Sequence, residues 1–125
     1  MRKQYHFRLS ERGLLAWDVD RLVEASCDFP VVEVPLSEIA ELDETFWFDH
    51  EGDTPTCRRV AAHAKLMRET DLVHPIILSA EGRVMDGMHR ACKALIEGRE
   101  TIRAVRFEVD PEPDYVDVRP DELPY

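Results

Sequence analysis

The stretch VMDGMHRACKAL, residues 84–95, carries the clearest structural signal in this chain. A short apolar run ends at Asp86, a glycine follows at position 87, and helical spacing of apolar residues begins at Met88. The pattern predicts a strand that turns through Gly87 directly into a helix, which Gly98 ends as a left-handed cap. The predicted core face of this helix consists of Met88, Ala91, Cys92 and Leu95, which leaves His89, Arg90 and Lys93 free.

The strand-to-helix junction has the features of an anion site. The first turn of a helix exposes unpaired N–H groups and a partial positive charge, and a glycine lets a ligand approach the backbone closely. His89 and Arg90 add two side-chain donors. The alternative is a plain helix cap, in which Asp86 caps the helix and Arg90 pairs with Glu97 in solvent. From residue types alone both interpretations stay open.

Outward from the junction, the chain alternates between short strands and helices. HPIILSAEGRVMDG, residues 74–87, predicts two strands joined by a turn at Gly82, and TIRAVRFEV, residues 101–109, predicts a longer strand that buries Ile102, Ala104 and Phe107. VVEVP, residues 31–35, predicts another strand, and LSEIAEL, residues 36–42, predicts one or two helical turns. These elements indicate an α+β (mixed α/β) class, with a small mixed sheet flanked by about three helices.

Two further helices are predicted upstream of the sheet. Apolar residues at helical spacing place the first at about 12–26, after Ser10 as a candidate cap, within a helical N-terminal extension over residues 1–30. The second begins near residue 55, with Thr54 or Thr56 as the cap, Pro55 at the first helical position, and Val60, Ala64 and Met67 facing inward. Residues 110–125 form an acidic tail with four prolines, predicted to hug the surface or to be partly mobile.

Composition limits the classes of function. A chain of 125 residues fits one domain, and its formal charge of −10, from 26 acidic and 16 basic residues, disfavours binding to the phosphate backbone of DNA. The cysteines, Cys27, Cys57 and Cys92, form no CxxC pair, which favours a reducing, cytoplasmic location. The apolar runs are too short for a transmembrane helix, so no membrane association is expected.

The Asp-Gly-x-His-Arg motif at residues 86–90 resembles that of the ParB/sulfiredoxin-like superfamily. It follows PIILSAEGRV and precedes an ALxxG helix end and an IRAVRF strand, and VVEVPLSEI resembles the opening of ParB N-terminal domains. The resemblance covers residues 31–109. It implies a single ParB/sulfiredoxin-like domain in which the turn formed by Gly87, Met88, His89 and Arg90 binds nucleotide phosphates.

Within this superfamily, the motif is most similar to that of the free serine kinase branch. Sulfiredoxins carry a catalytic cysteine where this chain has Met88, and Cys92 lies on the predicted core face, so the three cysteines are expected to be structural. The kinase resemblance implies a catalytic carboxylate at Asp43, with Glu44 adjacent, and Mg²⁺ held or the motif oriented by Asp86. The alternative for Asp43 and Glu44 is a solvated loop.

Two classes of function follow from the resemblance. One is an ATP-dependent or ADP-dependent phosphotransferase that acts on a small hydroxyl compound; the other is a nucleotide-gated interaction module of the ParB type, with slow hydrolysis or none. Residues 46–48, FWF, are either a flap over the nucleotide base or packing, and His63 and His74 are either zinc ligands or surface residues. The sequence leaves open the nucleotide base, the acceptor and the oligomeric state, for which a homodimer is one candidate.

Overall fold

The computed structural model describes residues 3–48 and 52–125, which form a mixed α+β structure with two small sheets. In the first sheet, β1 (Tyr5–Ser10), β2 (Gly13–Asp18) and β7 (Tyr115–Val116) pair antiparallel in the order β1-β2-β7. In the second, β3 (Val32–Pro35), β4 (Ile76–Leu78), β5 (Val84–Asp86) and β6 (Thr101–Arg106) take the order β3-β6-β4-β5. β4 and β6 run parallel and the other pairs antiparallel, so the predicted small mixed sheet is confirmed.

Three α-helices and three 3₁₀ turns complete the described part of the chain. The helices are α1 (Val19–Ser26), α2 (Cys57–Glu69) and α3 (Met88–Ile96), and the 3₁₀ turns are Leu36–Glu38, Ala40–Asp43 and Pro120–Glu122. The α+β class is therefore confirmed, as are the hairpin that turns at Gly82 and the left-handed cap at Gly98, where φ is +75°. Among the described residues, no helix is long and apolar enough to cross a bilayer.

The predicted helix over residues 12–26 is wrong in its first half. Gly13, with φ +96°, begins β2, and Ser10 bonds across the hairpin turn to Gly13 O and Arg12 N instead of capping a helix. Leu15 and Trp17 alternate into the core with the period of two expected of a strand. Only from Val19 does the chain become helical, capped by the side chain of Asp18. The N-terminal extension is therefore a hairpin followed by a two-turn helix.

The core lies on both faces of the four-stranded sheet. On one face, side chains from alternate strand positions pack against α3 and the first two 3₁₀ turns: Ile76, Leu78, Val84, Ile102, Ala104. The intervening side chains, Ile77, Met85 and Val105, point to the other face, where Leu15, Trp17 and Leu22 cover them. Because successive strand residues face opposite sides and both faces are covered there, β4 and β5 are apolar nearly throughout, whereas β6 alternates with exposed Thr101, Arg103 and Arg106.

The buried faces of α2 and α3 differ in part from the predicted ones. Met88 and Ala91 are buried and Cys92 is half-buried, but Ala94 completes the stripe while Leu95 is exposed. In α2, Val60 and Ala64 are exposed and Met67 alone of the predicted inner face is half-buried. Thr56 caps α2 as predicted, since its hydroxyl accepts from Arg59 N, whereas Pro55 precedes the cap instead of occupying the first helical position.

The C-terminal tail lies along the surface of the protein, which is one of the two arrangements predicted for it. Tyr115 and Val116 pair with Ala16 and Leu15 of β2, and Leu123 is buried. The hydroxyl of Tyr5 donates to Pro124 O, and its ring contacts the rings of Tyr115 and Tyr125. The tail is thereby held against the N-terminal hairpin.

Candidate functional site

The amino end of α3 is the centre of the candidate site. Gly87, the N-cap, lies directly after β5 with φ +110°, and the first intrahelical bond runs from Ala91 N to Gly87 O at 3.0 Å. Among the described residues, no side chain caps this helix. The backbone N–H groups of the first turn therefore have no capping partner there and, together with the helix dipole, favour an anion.

Only glycine fits at position 87. A Cβ there would lie 2.6 Å from Ile76 Cγ2 and 2.9 Å from Arg90 Nη2, in a backbone conformation that L-residues rarely adopt. The glycine thus serves both the turn and the close approach of β4 to the helix end.

Arg90 and Asp86 form an ion pair beside this helix end. Arg90 Nη2 donates to Asp86 Oδ2 at 2.8 Å, and Arg90 Nη1 donates to His74 O at 3.2 Å. Glu97, the partner expected if the junction were a plain cap, pairs with Arg99 instead. The guanidinium is therefore at the junction, and a phosphate bound there would compete with Asp86 for it.

His89 lies in a stack of three aromatic rings. His89 Nε2 and His63 Nδ1 are 2.9 Å apart, and the Trp47 ring stacks on both imidazoles, with centroid distances of 4.6 and 4.2 Å. Burial, with a smaller contribution from His63, lowers the pKa of His89 to about 4. Because His89 is neutral at pH 7, it can act there as a hydrogen-bonding group but not as a cation.

This stack decides between several of the predicted alternatives. Trp47 packs on the two histidines, Phe48 contacts His63 edge-on, and Phe46 is exposed. His63 bonds to His89, and His74 contributes its backbone carbonyl to Arg90. Over residues 3–48 and 52–125, no group of three or more His, Cys, Asp or Glu side chains is arranged to hold a metal ion. The zinc interpretation has no support in this arrangement.

An open groove of about 1230 Å³ runs past the α3 end, between the first sheet and the second 3₁₀ turn. It is bordered by most of the predicted site residues: Asp43, Glu44, Asp86, Gly87, Met88, His89. Arg90 borders a second pocket of about 430 Å³, which shares Asp86, Gly87 and His89 with the groove. The structure thus places the residues predicted for catalysis and for phosphate binding around two pockets that share Asp86, Gly87 and His89.

The two predicted catalytic acids have different surroundings. Glu44 accepts two hydrogen bonds of 2.8 Å from Arg83, which lower the pKa of its carboxyl group. Asp43 is exposed and makes no hydrogen bond or ion pair within the described part of the chain. Asp43 is therefore the acid that is available to a substrate, whereas Glu44 is engaged.

Sequence reasoning missed Glu41. Its side chain borders the same groove yet is 2% exposed, with Oε2 accepting from Val84 N at 2.5 Å and lying 3.4 Å from Arg83 Nε. The Oε1 atom is buried and has no hydrogen-bond partner among the described residues. In the sequence, only its apolar neighbours Ile39, Ala40 and Leu42 indicate that Glu41 is buried. This is a weak indication in a chain with 26 acidic residues.

The cysteines lie outside this chemistry. Burial raises the pKa of the Cys92 thiol, so it is a poor nucleophile at neutral pH. Cys27 and Cys57 are exposed on the ends of α1 and α2, and all three are free thiols. Because Cys27 and Cys57 are exposed, they do not pack in the core, contrary to the structural role expected for them.

Comparisons with known proteins identify no relative. No protein-family model matches the chain, and neither the curated proteins nor the solved structures contain a match. The ParB/sulfiredoxin-like resemblance therefore stays a prediction from the motif. The class that the coordinates themselves define is a small α+β protein with a groove at an uncapped helix amino end.

Proposed function

We propose that this chain binds a nucleoside phosphate at the amino end of α3 and transfers its terminal phosphoryl group to a small hydroxyl compound. The observation that carries the proposal is the uncapped first turn of α3, which opens at Gly87 beside Arg90 and borders the groove that contains Asp43. Backbone amides, a guanidinium and an accessible carboxylate are the parts that phosphoryl transfer needs.

Each part has a role in this scheme. The first-turn amides and Arg90 bind phosphate oxygens, with Arg90 exchanging its bond to Asp86 for one to the ligand. The acceptor hydroxyl forms a bond to the terminal phosphorus, the bond from that phosphorus to the bridging oxygen breaks, and the nucleotide leaves with the bonding electrons. Asp43 accepts the hydroxyl proton. A bound Mg²⁺ would supply charge neutralisation between phosphate oxygens.

Asp86 is a poor sole ligand for such an ion. Its Oδ2 accepts a hydrogen bond from Arg90 at 2.8 Å. A cation bound to Asp86 would therefore have to displace the guanidinium or share the carboxylate with it. The prediction of Asp86 as the Mg²⁺ ligand remains a prediction. In the proposed scheme its role is to orient Arg90.

A second function, the nucleotide-gated interaction module, is favoured by one observation. His89, in the first turn of α3, bonds to His63 in the middle of α2, and α2 carries exposed apolar side chains at Val60 and Leu66. A ligand that moves the start of α3 would therefore move α2. In this case nucleotide would alter self-association or partner binding without turnover.

Nucleotide binding is tested first by thermal shift with ATP, ADP, CTP and GTP, with and without Mg²⁺. A ligand at one hundred times its Kd stabilises the fold by about 2.7 kcal/mol. Arg90→Ala is expected to weaken binding at least tenfold, because it removes a charge-assisted contact. Arg99→Ala, at the opposite end of α3, is the matched control and should bind as wild type does. Equal affinity of Arg90→Ala and wild type would refute the proposal.

Turnover separates the two functions. Asp43→Asn should keep nucleotide affinity and lose phosphoryl transfer to an added panel of hydroxyl compounds, measured as nucleotide consumed. If wild-type protein binds nucleotide, transfers nothing, and changes its sedimentation behaviour on binding, the interaction module replaces the enzyme.

A further inference from the structure

Glu41 is the most deeply buried acid of the groove. It lies in the 3₁₀ turn Ala40–Asp43, which packs against α3. Both Glu41 and Ile39, the N-cap of this turn, are 2% exposed. Oε2 accepts a hydrogen bond from Val84 N and lies 3.4 Å from Arg83 Nε, whereas the buried Oε1 has no hydrogen-bond partner among the described residues. A buried carboxylate oxygen without a donor or cation is costly, because the hydrogen bonds that water would make to it are not replaced.

The balance of charges around the groove indicates which kind of ligand would contact Glu41 Oε1. Five carboxylate side chains border the groove against three cationic ones, which are Lys3, Arg8 and Arg83. Lys3 and Arg8 are also paired with Asp18 and Asp110, outside the groove lining. His89 adds no charge at pH 7. A nucleoside phosphate entering this groove would therefore meet net negative charge, unless a cation accompanied it.

We infer that Glu41 Oε1 is a protein ligand for a divalent cation that enters the groove with the phosphate groups. A Mg²⁺ ion is commonly held by one or two carboxylates together with substrate phosphates and water, so a single fixed carboxylate oxygen suffices on the protein side. This inference rests on the proposed function, because the phosphates supply the remaining ligands.

The other acids of the groove are less suited to this role. Asp86 and Glu44 are each bound to an arginine at 2.8 Å, a closer pairing than the 3.4 Å between Glu41 Oε2 and Arg83 Nε, and the Asp43 side chain is exposed with no partner in the described part of the chain to hold it in place. Glu41 is fixed by its bond to Val84 N at the edge of β5, the strand that leads into Gly87. Its carboxylate is therefore the one held rigidly next to the strand that ends at the phosphate-binding turn.

The test compares the Kd of ATP in EDTA with its Kd in Mg²⁺, by calorimetry on the full chain. Wild type is expected to bind ATP more tightly with Mg²⁺. Glu41→Gln can keep the Val84 bond through its amide oxygen, but it places an NH₂ group where the metal ligand was. Loss of a second-shell partner costs about 10–100-fold in metal affinity, so removal of a direct ligand should abolish at least a tenfold Mg²⁺ enhancement. Affinity in EDTA should change little.

Glu81→Gln is the matched control, because Glu81 is an exposed residue that borders the same groove. The substitution removes the same charge from the groove as Glu41→Gln does. It should retain the Mg²⁺ enhancement. A Glu41→Gln protein that melts as wild type does and keeps the enhancement would overturn the inference. So would wild-type binding that is indifferent to Mg²⁺, although the proposed nucleotide site would survive that result. Wild-type protein that binds no nucleotide in either buffer would remove the proposed function itself.

A measurement without substitution covers the case in which Glu41→Gln does not fold. In wild-type protein with ATP, Mn²⁺ bound to Glu41 would lie within a few ångströms of the Val84 amide, which donates to the same carboxylate. The Val84 amide resonance should broaden at substoichiometric Mn²⁺ and stay sharp with Mg²⁺. A sharp Val84 resonance, alongside broadened resonances elsewhere in the groove, would place the cation on another residue.

Discussion

At the scale of single residues, the left-handed glycines Gly87 and Gly98 mark the two ends of α3 and have different surroundings. Both have positive φ, but a Cβ at position 98 would meet nothing within 4 Å, whereas one at position 87 would strike Ile76 and Arg90. Any other residue at either position would have a strained backbone. Only at position 87 would its Cβ also clash with neighbouring side chains. Substitution at the two positions separates these contributions.

Gly98→Ala should destabilise the protein by about 1–2 kcal/mol, the cost of a left-handed alanine. Gly87→Ala should cost that amount plus about 1–3 kcal/mol for overpacking against Ile76. Urea denaturation measures both, with the midpoint compared at constant slope. Equal losses for the two variants would show that Ile76 and Arg90 adjust freely, and would contradict the steric role assigned to Gly87.

Two half-buried histidines, His6 and His89, make stability depend on pH. Burial lowers the pKa of His6 and of His89 to about 4, below the value of about 6.5 in an unfolded chain. Between pH 4 and 6.5 the unfolded chain therefore binds more protons than the folded one. The stabilising contribution is complete above pH 6.5 and declines as the pH falls toward 4.

We expect the free energy of unfolding to fall by about 2 kcal/mol between pH 7 and pH 5, after allowing for solvent screening of half-buried rings. Urea denaturation at the two pH values tests this. His6→Phe should show a smaller loss than wild type, since one of the contributing rings is gone. A stability that is flat or rising toward pH 5 would contradict the neutral state assigned to both histidines.

At the scale of elements, α2 is held to the rest of the protein by a few specific contacts. None of its residues is buried, its middle is bound through His63, and its last turn is bound by Lys93 of α3. Lys93 Nζ donates to Thr70 O at 2.6 Å and to Arg68 O at 3.1 Å, which satisfies carbonyls at the carboxyl end of α2. A helix attached in this way should open locally at low cost.

Lys93→Met should destabilise α2 selectively, by about 1–3 kcal/mol, because hydrogen bonds from a charged donor are lost. Hydrogen exchange should show reduced protection of the last turn of α2 and unchanged protection of β4 and β6. Lys65→Met is the control: Lys65 is exposed, and its pair with Glu69 is 3.8 Å apart. Reduced protection spread evenly over the whole chain would mean that α2 does not open on its own.

At the scale of the whole molecule, the N-terminal hairpin and the C-terminal tail form one layer against the sheet that carries the site. β7 completes the first sheet, Trp17 Nε1 donates to Pro111 O, and Asp114 accepts from Asp18 N. Residues of the hairpin also line the groove, as one of its walls. The tail therefore stabilises one wall of the candidate site, although it contributes little to the central core.

Leu123→Ala should cost about 2 kcal/mol, near the lower limit for a buried leucine, because a position near the chain end can relax. Val109→Ala, 81% exposed, should change stability by less than about 0.5 kcal/mol. Thermal and urea denaturation give both values. A Leu123→Ala protein as stable as wild type would show that the tail does not pack as described.

Elements with local signals could be predicted from the order of the residues alone. Gly82, Gly87 and Gly98 mark a turn, a helix start and a helix end, and the apolar runs around them specify β4, β5 and α3. Such features depend on the backbone preferences of a few neighbouring residues, so they can be predicted without knowing the rest of the fold. The same local pattern placed Gly87, His89 and Arg90 together at the junction.

Features that depend on distant partners became visible only in the folded chain. Leu14 to Asp18 form a strand because β1 and β7 pair with it, although their spacing resembles a helix. His89 is neutral because His63, 26 positions earlier, and Trp47 enclose it, and Glu41 is buried because Val84 binds it across 43 positions. Burial, ion pairing and pKa arise from contacts that chain folding creates, so residue types alone could name the candidates but not their charge or availability.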